Sequence, residues 1–385
     1  MNTVHLQLLA LVRLAIHPEE EIPEVLLADA IQWEKIYDEA KKQSLLGIAF
    51  VGYKRLVASE NKNKAASSID DELYVKWYGQ TEKIRQKNLL LNKRSAQIVR
   101  NFAHEGFRTS IMKGQGNALR YGPELSLMRS PGDIDVWVEG GFQKVYDYVQ
   151  KVAPTTEVNE LEMPFHVYDD VSVEVHYRPF IIKHPFKNKV FQRFCESQAE
   201  ACFNNHVELQ TEMKDGEGVG VDTVITTIPF NLVHQMTHIK LHLFAGGTHL
   251  KQVLDYYYLL LHAEKCMSQD EREAVVKVMK DIGLERLAQA ITWILSEYFK
   301  LPSVCWLWNP NKEDGEYLLD KFLRTGSFEE DNKTKGKTKR ETFSSFYKIQ
   351  KKNLKLSRFD RTDWFWGSLW RIYHFGWKRW KGFRH

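Results

Sequence analysis

Two carboxylates near the middle of the chain have the spacing of a metal-binding pair. Residues 133–138 (DIDVWV) alternate in a way that predicts a β-strand. Because side chains two positions apart on a strand point the same way, Asp133 and Asp135 share one face, while Ile134 and Val136 turn toward the core. Adjacent carboxylates repel each other unless a cation lies between them, and hard oxygen ligands suit Mg²⁺. An Asp-x-Asp pair alone is also common on solvated edge strands, so the pair needs further support.

A third carboxylate lies on a second alternating segment, 171–177 (VSVEVHY). The alternation places Glu174 and His176 on one face and three valines on the other. If this strand lies beside the first, Glu174 completes an acidic trio with the first two carboxylates. Arg178 follows on the same face. For His176 and Arg178, cross-strand packing and binding of an acceptor or a phosphate are equally favoured.

The residues ahead of the first carboxylate pair are suited to phosphate binding. Gly114 follows a short β-prone segment, 108–113 (RTSIMK), and a glycine there lets the backbone come close to a triphosphate. Lys113 and Arg129 supply positive charge nearby. Acidic residues for a metal, combined with basic residues and a glycine turn, are the groups that phosphoryl or nucleotidyl transfer requires.

The order of these motifs resembles a known family. The run I-M-K-G…Y-G-P…R-S-P-G-D-I-D-V-W-V, followed by V-E-V-H-Y, is similar to the DNA polymerase β-like nucleotidyltransferase superfamily. More narrowly, it resembles a bacterial family of largely uncharacterised nucleotidyltransferases. The specific part of the resemblance is confined to residues 110–178. The resemblance implies a small mixed sheet that carries Asp133, Asp135 and Glu174 as catalytic and metal-binding residues, with Mg²⁺ or Mn²⁺ as the cofactor.

We therefore expect a Mg²⁺-dependent, nucleotide-binding enzyme that moves an NMP from ATP or another NTP to a hydroxyl-bearing acceptor and releases pyrophosphate. Two metal ions on the acidic trio would neutralise the triphosphate and activate the acceptor hydroxyl. The expected nucleotide-binding residues are Lys113, Gly114, Gln115, Arg129 and Ser130. The acceptor, a small molecule or a protein, and the base of the NTP stay open.

The alternative is a binding or scaffold protein that keeps the fold and binds nucleotide or metal without turnover. The superfamily usually has Gly-Gly or Gly-Ser after the first strand, whereas here Gly114 is followed by Gln115 and Gly116. The intact acidic trio favours the enzyme, because unpaired carboxylates are costly unless a cation uses them. Metal-dependent stabilisation without pyrophosphate release would favour the scaffold.

Helical patterns flank the motifs on both sides. Apolar residues recur every seven positions in a predicted long helix over 70–104, which Gly106 ends. Further helices are predicted at 231–243, 250–262, 270–282 and 284–299. The predicted fold class is α+β, a small mixed sheet with helical N- and C-terminal regions. The expected division is a helical N-terminal region (1–105), a nucleotidyltransferase α/β core (106–225), a helical domain (226–325), a charged linker or loop (326–345) and a basic aromatic C-terminal segment (346–385).

Other segments have weaker patterns. We expect a loop over 122–132, a strand at 166–168 that a tight turn joins to 171–177, little regular structure over 179–222, and a glycine-rich loop at 214–221. Three histidines at helical spacing, His234, His238 and His242, favour packing, because the outer two are too far apart for one ion. An ion shared by one adjacent pair, or one histidine that faces the nucleotide, is the alternative.

Composition limits the class of protein. The chain of 385 residues has a net charge of +4, and its four cysteines form no C-x-x-C pair, which favours a cytoplasmic protein with reduced thiols. The apolar N-terminal stretch is interrupted by Arg13 and does not predict a signal peptide. From residue 331 onward there are 16 basic and 4 acidic residues, so the preceding body is mildly acidic. An acidic body argues against a long nucleic acid as a partner.

The basic C-terminal segment also carries aromatic residues at helical spacing: Trp366, Trp370, Tyr373, Trp377 and Trp380. Packing of this stripe on the body is favoured. Peripheral membrane contact and binding of a polyanion are the alternatives, since interfaces attract basic aromatic helices.

Overall fold

A computed structural model describes residues 1–27, 31–59, 69–214, 217–245, 247–325, 356–360, 362, 365–367 and 369–370. The described residues form a helical N-terminal part: α1 (Thr3–Ile16), α2 (Trp33–Lys42), α3 (Leu46–Ala58) and α4 (Asp71–His104). The central part contains β1 (Thr109–Met112), α5 (Gly114–Ala118), α6 (Gly122–Leu125), β2 (Ile134–Val138), α7 (Gly141–Val152), β3 (Glu162–Pro164), β4 (Val173–His176), α8 (Pro185–Phe203), β5 (His206–Lys214) and β6 (Glu217–Val224). Helices follow again: α9 (Ile228–Ala245), α10 (Leu250–Cys266), α11 (Gln269–Asp281), α12 (Glu285–Phe299) and α13 (Lys312–Thr325).

The central sheet has four strands in the order β1-β2-β4-β3. Strand β2 pairs antiparallel with β1 and parallel with β4, and β3 pairs antiparallel with β4. A parallel pair needs a crossover, and α7 lies on the connection from β2 to β4. The predicted α+β class, a small mixed sheet with helices before and after it, is confirmed.

The alternation of β2 and β4 separates the two faces of the sheet. One face is apolar and packs into a core that includes Ile134, Val136 and Val173, together with side chains of α4 and α7. On the opposite face, Trp137 stacks on Phe230 of α9, with ring centroids 5.4 Å apart. The polar side chains of β2 and β4 lie on this second face, so α9 covers the side of the sheet that carries them.

Helix α4 connects the two apolar cores of the molecule. It begins after Asp70, whose side chain accepts a hydrogen bond from the Leu73 N–H, and runs for 34 residues. Trp77 near its start is fully buried in the larger, helical core, while Leu91 and Phe102 belong to the core beneath the sheet. The predicted apolar stripe is confirmed, and Gly106 follows the helix at φ +76°.

Several local predictions are wrong. The edge strand β3 is Glu162–Pro164 instead of 166–168, so its connection to β4 is longer than a tight turn. The expected loop at 122–132 starts with α6 and a 3₁₀ turn at Ser126–Met128. The segment 179–222 contains α8 and most of the β5–β6 hairpin, whose second strand includes part of the expected glycine-rich loop. Helix α13 lies inside the region expected to be a helical domain (226–325), although no individual helix was predicted at its position.

The C-terminal predictions are covered only in part. The charged linker or loop (326–345) lies outside the described residues, as do Tyr373, Trp377 and Trp380 of the aromatic stripe. Trp366 packs against His184, with ring centroids 4.8 Å apart. None of the described helices is both long enough and apolar enough to cross a membrane.

Candidate active site

The polar face of the sheet brings two of the predicted carboxylates side by side. Asp135 on β2 is the register partner of Glu174 on parallel β4, so both side chains project from the same face. Asp133 lies just before β2, two positions from Asp135. All three carboxylates line one cavity of about 270 Å³, which lies between the sheet and helices α9 and α10.

The turn after β1 places a lysine in front of Asp135. Met112 pairs with Asp135 across the antiparallel β1–β2 ladder, and the next residue, Lys113, has its Nζ 3.0 Å from Asp135 Oδ1. Lys113 adopts φ +49° and Gly114 adopts φ +24°, a region that disfavours side chains. Strained backbone of this kind persists where the surrounding contacts hold it, as the Lys113–Asp135 ion pair does here.

Asp135 is held in its ionised form by two donors. Its Oδ1 lies 2.9 Å from His176 Nε2 as well as 3.0 Å from Lys113 Nζ. Burial alone would raise the pKa of Asp135, but Lys113 and His176 outweigh burial and hold the pKa well below its usual range. Asp135 therefore presents a permanent negative charge to the cavity.

The other two carboxylates are destabilised as anions. Burial, followed by the charges of Glu162, Asp135 and Asp133, raises the pKa of Glu174 to about 7. Burial and Asp135 likewise raise the pKa of Asp133. The carboxylates in this part of the cavity therefore carry more negative charge than Lys113 can neutralise. Such an excess favours a bound cation.

Arg129 lies in the cavity wall and is already paired. Its guanidinium makes a two-point contact with Asp255 of α10, at 2.7 Å from Nε to Oδ1 and 2.8 Å from Nη2 to Oδ2. The hydroxyl of Tyr121 donates a third hydrogen bond to the same carboxylate. Arg129 and Asp255 are 5% and 2% exposed, so the pair is a buried tie between the segment before β2 and the helical wall.

The helical wall contributes a second lysine and two histidines. Lys251, at the start of α10, reaches the carbonyl of Ser130 at 3.3 Å, and burial together with Arg129 lowers its pKa to about 8. His238 Nε2 lies 3.4 Å from Lys113 Nζ and 3.1 Å from His242 Nε2. Burial and Lys113 lower the pKa of both histidines, so both rings are neutral.

The sequence also matches a family model. Residues 29–300 match a family described as an uncharacterised nucleotidyltransferase. The chain belongs to this family. Every residue that lines the cavity, from Lys113 to Asp255, lies inside the matched range of this nucleotidyltransferase family.

The structural comparison gives a more distant likeness. The crystal structure of an antigenic nucleotidyltransferase-like protein from Paracoccidioides brasiliensis is similar over 59% of this chain and 96% of that chain. The identity is 10% and the TM-score is 0.28. No curated protein matches the chain.

The donor set of the cavity fits a hard divalent cation. Among the described residues, Asp135, Glu174 and His176 offer ligand atoms that all lie within 4.8 Å of one another. Asp133 does not belong to this group of three residues, but it lines the same cavity. Oxygen donors with excess negative charge are the chemistry of a Mg²⁺ or Mn²⁺ site. The ligand set that the sequence predicts, Asp133, Asp135 and Glu174, stays a prediction.

The remaining predicted residues lie in different surroundings. Gly114 lines the cavity, whereas the Gln115 side chain turns away and donates to Asn92 Oδ1 of α4 at 2.5 Å. Ser130 meets Lys251 through its carbonyl. Arg178 is exposed just beyond β4, and His176 is buried behind the carboxylates.

Sequence reasoning missed three groups at this candidate site. Lys251 and Asp255 lie four residues apart on α10, and that spacing in a predicted helix was the available signal. Glu162 reaches the site from β3, which the sequence places incorrectly. His234 packs on Phe230 as the sequence favours, while His238 and His242 line the cavity.

Proposed function

We propose that this cavity transfers a nucleotidyl group from an NTP to a hydroxyl-bearing acceptor. The single observation that supports the proposal best is the register of Asp135 with Glu174, beside Lys113 in a shared cavity. The family to which the chain belongs favours the same reaction class. The proposed acceptor is a small molecule or a protein side chain, because the body of the chain is mildly acidic and a long nucleic acid would meet repulsion.

The carboxylates would hold the metal. Asp133, Asp135 and Glu174 are the residues that would bind Mg²⁺ or Mn²⁺, which when bound supplies a Lewis acid for the phosphate oxygens and lowers the pKa of a bound hydroxyl. Asp135 serves this role best, because its pKa is held low and it is charged at every physiological pH.

The lysines would hold the triphosphate from two sides. Lys113 lies against the sheet and Lys251 at the start of α10, and both line the cavity. Gly114 adds a backbone position where a phosphate can approach closely, because a Cβ there would have only the Asp133 carbonyl near it, at 3.5 Å. Arg129 would act indirectly by anchoring the loop that carries Gly132 and Asp133.

The alternative role of Glu174, when Asp133 and Asp135 hold the metal, is to accept the acceptor's proton. In the metal-free chain its pKa is raised to about 7, so the side chain is present in both forms near neutral pH. In the proposed reaction the acceptor oxygen forms a bond to the α-phosphorus and the bond from the α-phosphorus to the bridging oxygen breaks. The hydroxyl proton passes to Glu174, and pyrophosphate carries away the bond's electron pair.

A second candidate is nucleotide binding without turnover. One observation favours it. Lys113 forms an ion pair with Asp135 Oδ1, and the Gln115 side chain is buried against α4. The turn after β1 therefore differs from the Gly-Gly or Gly-Ser turn that is usual in the superfamily. In that case nucleotide and metal would stabilise the chain with no release of pyrophosphate.

The test uses full-length protein with Mg²⁺, each of the four NTPs labelled in turn at the α- or the γ-phosphate, and an extract of small molecules and proteins as acceptors. We expect label transfer from the α-phosphate alone, with pyrophosphate release, and its loss in Asp135→Asn. The matched control is Asp169→Asn, an exposed carboxylate that is not among the described residues lining the cavity. Transfer from the γ-phosphate would contradict nucleotidyl transfer, and nucleotide-dependent stabilisation without transfer would support the second candidate.

A further inference from the structure

We propose that His176 and Glu162 form a positioning pair that orients Asp135 for cation binding. This inference rests on the proposed function and assigns two residues within the same site. It differs from the expectation that the sequence raised for His176, which was packing or binding of an acceptor. It also gives a role to Glu162, which no motif indicated.

The sheet places the pair behind the carboxylates. Glu162 on β3 is the register partner of His176 on β4, and His176 is in turn the partner of Trp137 on β2. Register partners share a face, so Glu162, His176 and Asp135 all project toward the same side. His176 is 2% exposed and is not among the described residues that line the cavity.

One imidazole nitrogen contacts both acidic neighbours. His176 Nε2 lies 2.9 Å from Asp135 Oδ1 and 3.2 Å from Glu162 Oε2, whereas Glu174 Oε2 is 4.0 Å away. Ionised carboxylate oxygens accept hydrogen bonds and cannot donate them, so the proton lies on Nε2. A nitrogen that carries this proton has no lone pair for a metal. His176 is therefore a donor to the acidic group and not one of its ligands.

The two donors act on the same oxygen of Asp135. Lys113 Nζ and His176 Nε2 both contact Oδ1, which leaves Oδ2 as the oxygen with which Asp135 can bind a cation. His176 Nδ1 is buried and has no hydrogen-bond partner among the described residues, so Nε2 alone fixes the ring's polar contacts. In the proposal, Glu162, whose Oε2 lies 3.2 Å from the same nitrogen, keeps the ring in the position where its N–H donates to Asp135.

The test measures binding of Mn²⁺ alone to the full chain by electron paramagnetic resonance, without nucleotide. His176→Phe keeps a ring and removes the donor, while His176→Gln keeps an N–H near the position of Nε2. Glu162→Leu removes the acceptor, while Glu162→Gln keeps one. We expect the two apolar variants to bind Mn²⁺ about 10–100-fold more weakly, the usual effect of losing an outer-shell partner, and the two glutamine variants to stay near wild type.

Rescue by His176→Gln would show that an N–H donor at this position is enough. If His176 were itself a ligand, Mn²⁺ bound to wild type would show coupling to an imidazole nitrogen in the same resonance measurement, and the proposal would be wrong. It would also be wrong if both apolar variants bound Mn²⁺ like wild type. Where one apolar variant does not fold, as judged by circular dichroism, the other matched pair decides.

Failure of the proposed function has a different signature. Wild type that does not bind Mn²⁺, or Asp135→Asn that binds it unchanged, would contradict the metal site as a whole. If wild type binds and Asp135→Asn does not, any failure concerns the positioning pair alone. Asp169→Asn on the exposed turn between β3 and β4 serves as the carboxylate control.

Discussion

Glu174 carries a cost in stability that depends on pH. Burial and the neighbouring carboxylates raise its pKa from 4.5 to about 7 in the folded chain. A carboxyl whose pKa is higher in the folded state than in the unfolded state stabilises the fold at pH values below its unfolded-state pKa. This stabilisation is lost progressively as the pH rises to the folded-state pKa. In EDTA, the wild-type chain should therefore lose stability relative to Glu174→Gln between about pH 4.5 and 7, with a constant difference above that.

Urea unfolding at a series of pH values measures this difference. The matched control is Glu157→Gln, an exposed glutamate whose substitution should leave the pH profile unchanged. A Glu174→Gln profile that is parallel to wild type across the range would mean that burial and the neighbouring carboxylates do not raise the pKa of Glu174.

Lys251 gives a second residue-scale prediction. Its pKa is lowered to about 8, first by burial and then by Arg129, so it loses its charge as the pH rises through that value. Affinity for a non-hydrolysable ATP analogue should fall between pH 7 and 9 in wild type. In Lys251→Met the affinity should be lower at pH 7 and should fall less steeply than in wild type between pH 7 and 9.

Calorimetric titration at pH 7, 8 and 9 measures both affinities, with Lys151→Met as a control for an exposed lysine. Equal affinities of wild type and Lys251→Met at pH 7 would remove Lys251 from the triphosphate site.

At the scale of elements, a buried ion pair between Arg129 and Asp255 joins α10 to the loop before β2. Removing one partner of such a pair leaves the other charge buried and typically costs about 3–5 kcal/mol. Asp255→Leu should thus lower the free energy of unfolding by about that amount, because Arg129 keeps its charge without Asp255. The double variant Arg129→Leu with Asp255→Leu should recover most of the loss.

Urea unfolding of the two variants and of Arg129→Leu completes the cycle, and Asp320→Asn, a half-buried ion-pair partner on α13, is the control. If the loss in free energy of unfolding of the double variant equalled the sum of the losses of the two single variants, Arg129 and Asp255 would act independently. The ion pair would then not join α10 to the loop.

An element can be predicted from the sequence when the pattern of residues within that element is strong enough to determine its structure. Strand β2 is predictable because DIDVWV alternates and both of its faces are specified. Strand β3 is not, because three residues at a sheet edge, one of them Pro164, carry too little pattern. The β5–β6 hairpin is hidden by Gly218 and Gly220, which weaken a strand pattern although the ladder forms. Glu162 was missed for the same reason, since its role follows from where β3 pairs.

At the scale of the molecule, the C-terminal segment is joined to the central helices by charge. Asp360 contacts Lys187 of α8 at 2.8 Å and also forms an ion pair with Lys240 of α9. Phe359 beside it is 4% exposed, so this part of the segment packs on the body, as the sequence favours for the tail as a whole. Packing or membrane contact of residues 371–385 stays a prediction, since they lie outside the described part of the chain.

The last prediction concerns this attachment. Burial alone would raise the pKa of Asp360, but Lys240 and Lys187 outweigh it and hold the pKa well below its usual value. A carboxyl with a lowered folded pKa contributes stability above its unfolded pKa and loses it as the pH falls. Asp360→Asn should therefore melt at a lower temperature than wild type at pH 7, and the two should converge toward acid pH. The attachment also predicts faster removal of the C-terminal segment from Asp360→Asn by limited chymotrypsin digestion, with Asp320→Asn as the control. Equal melting temperatures at pH 7 together with unchanged digestion would show that residues 356–360 are held by their apolar side chains alone.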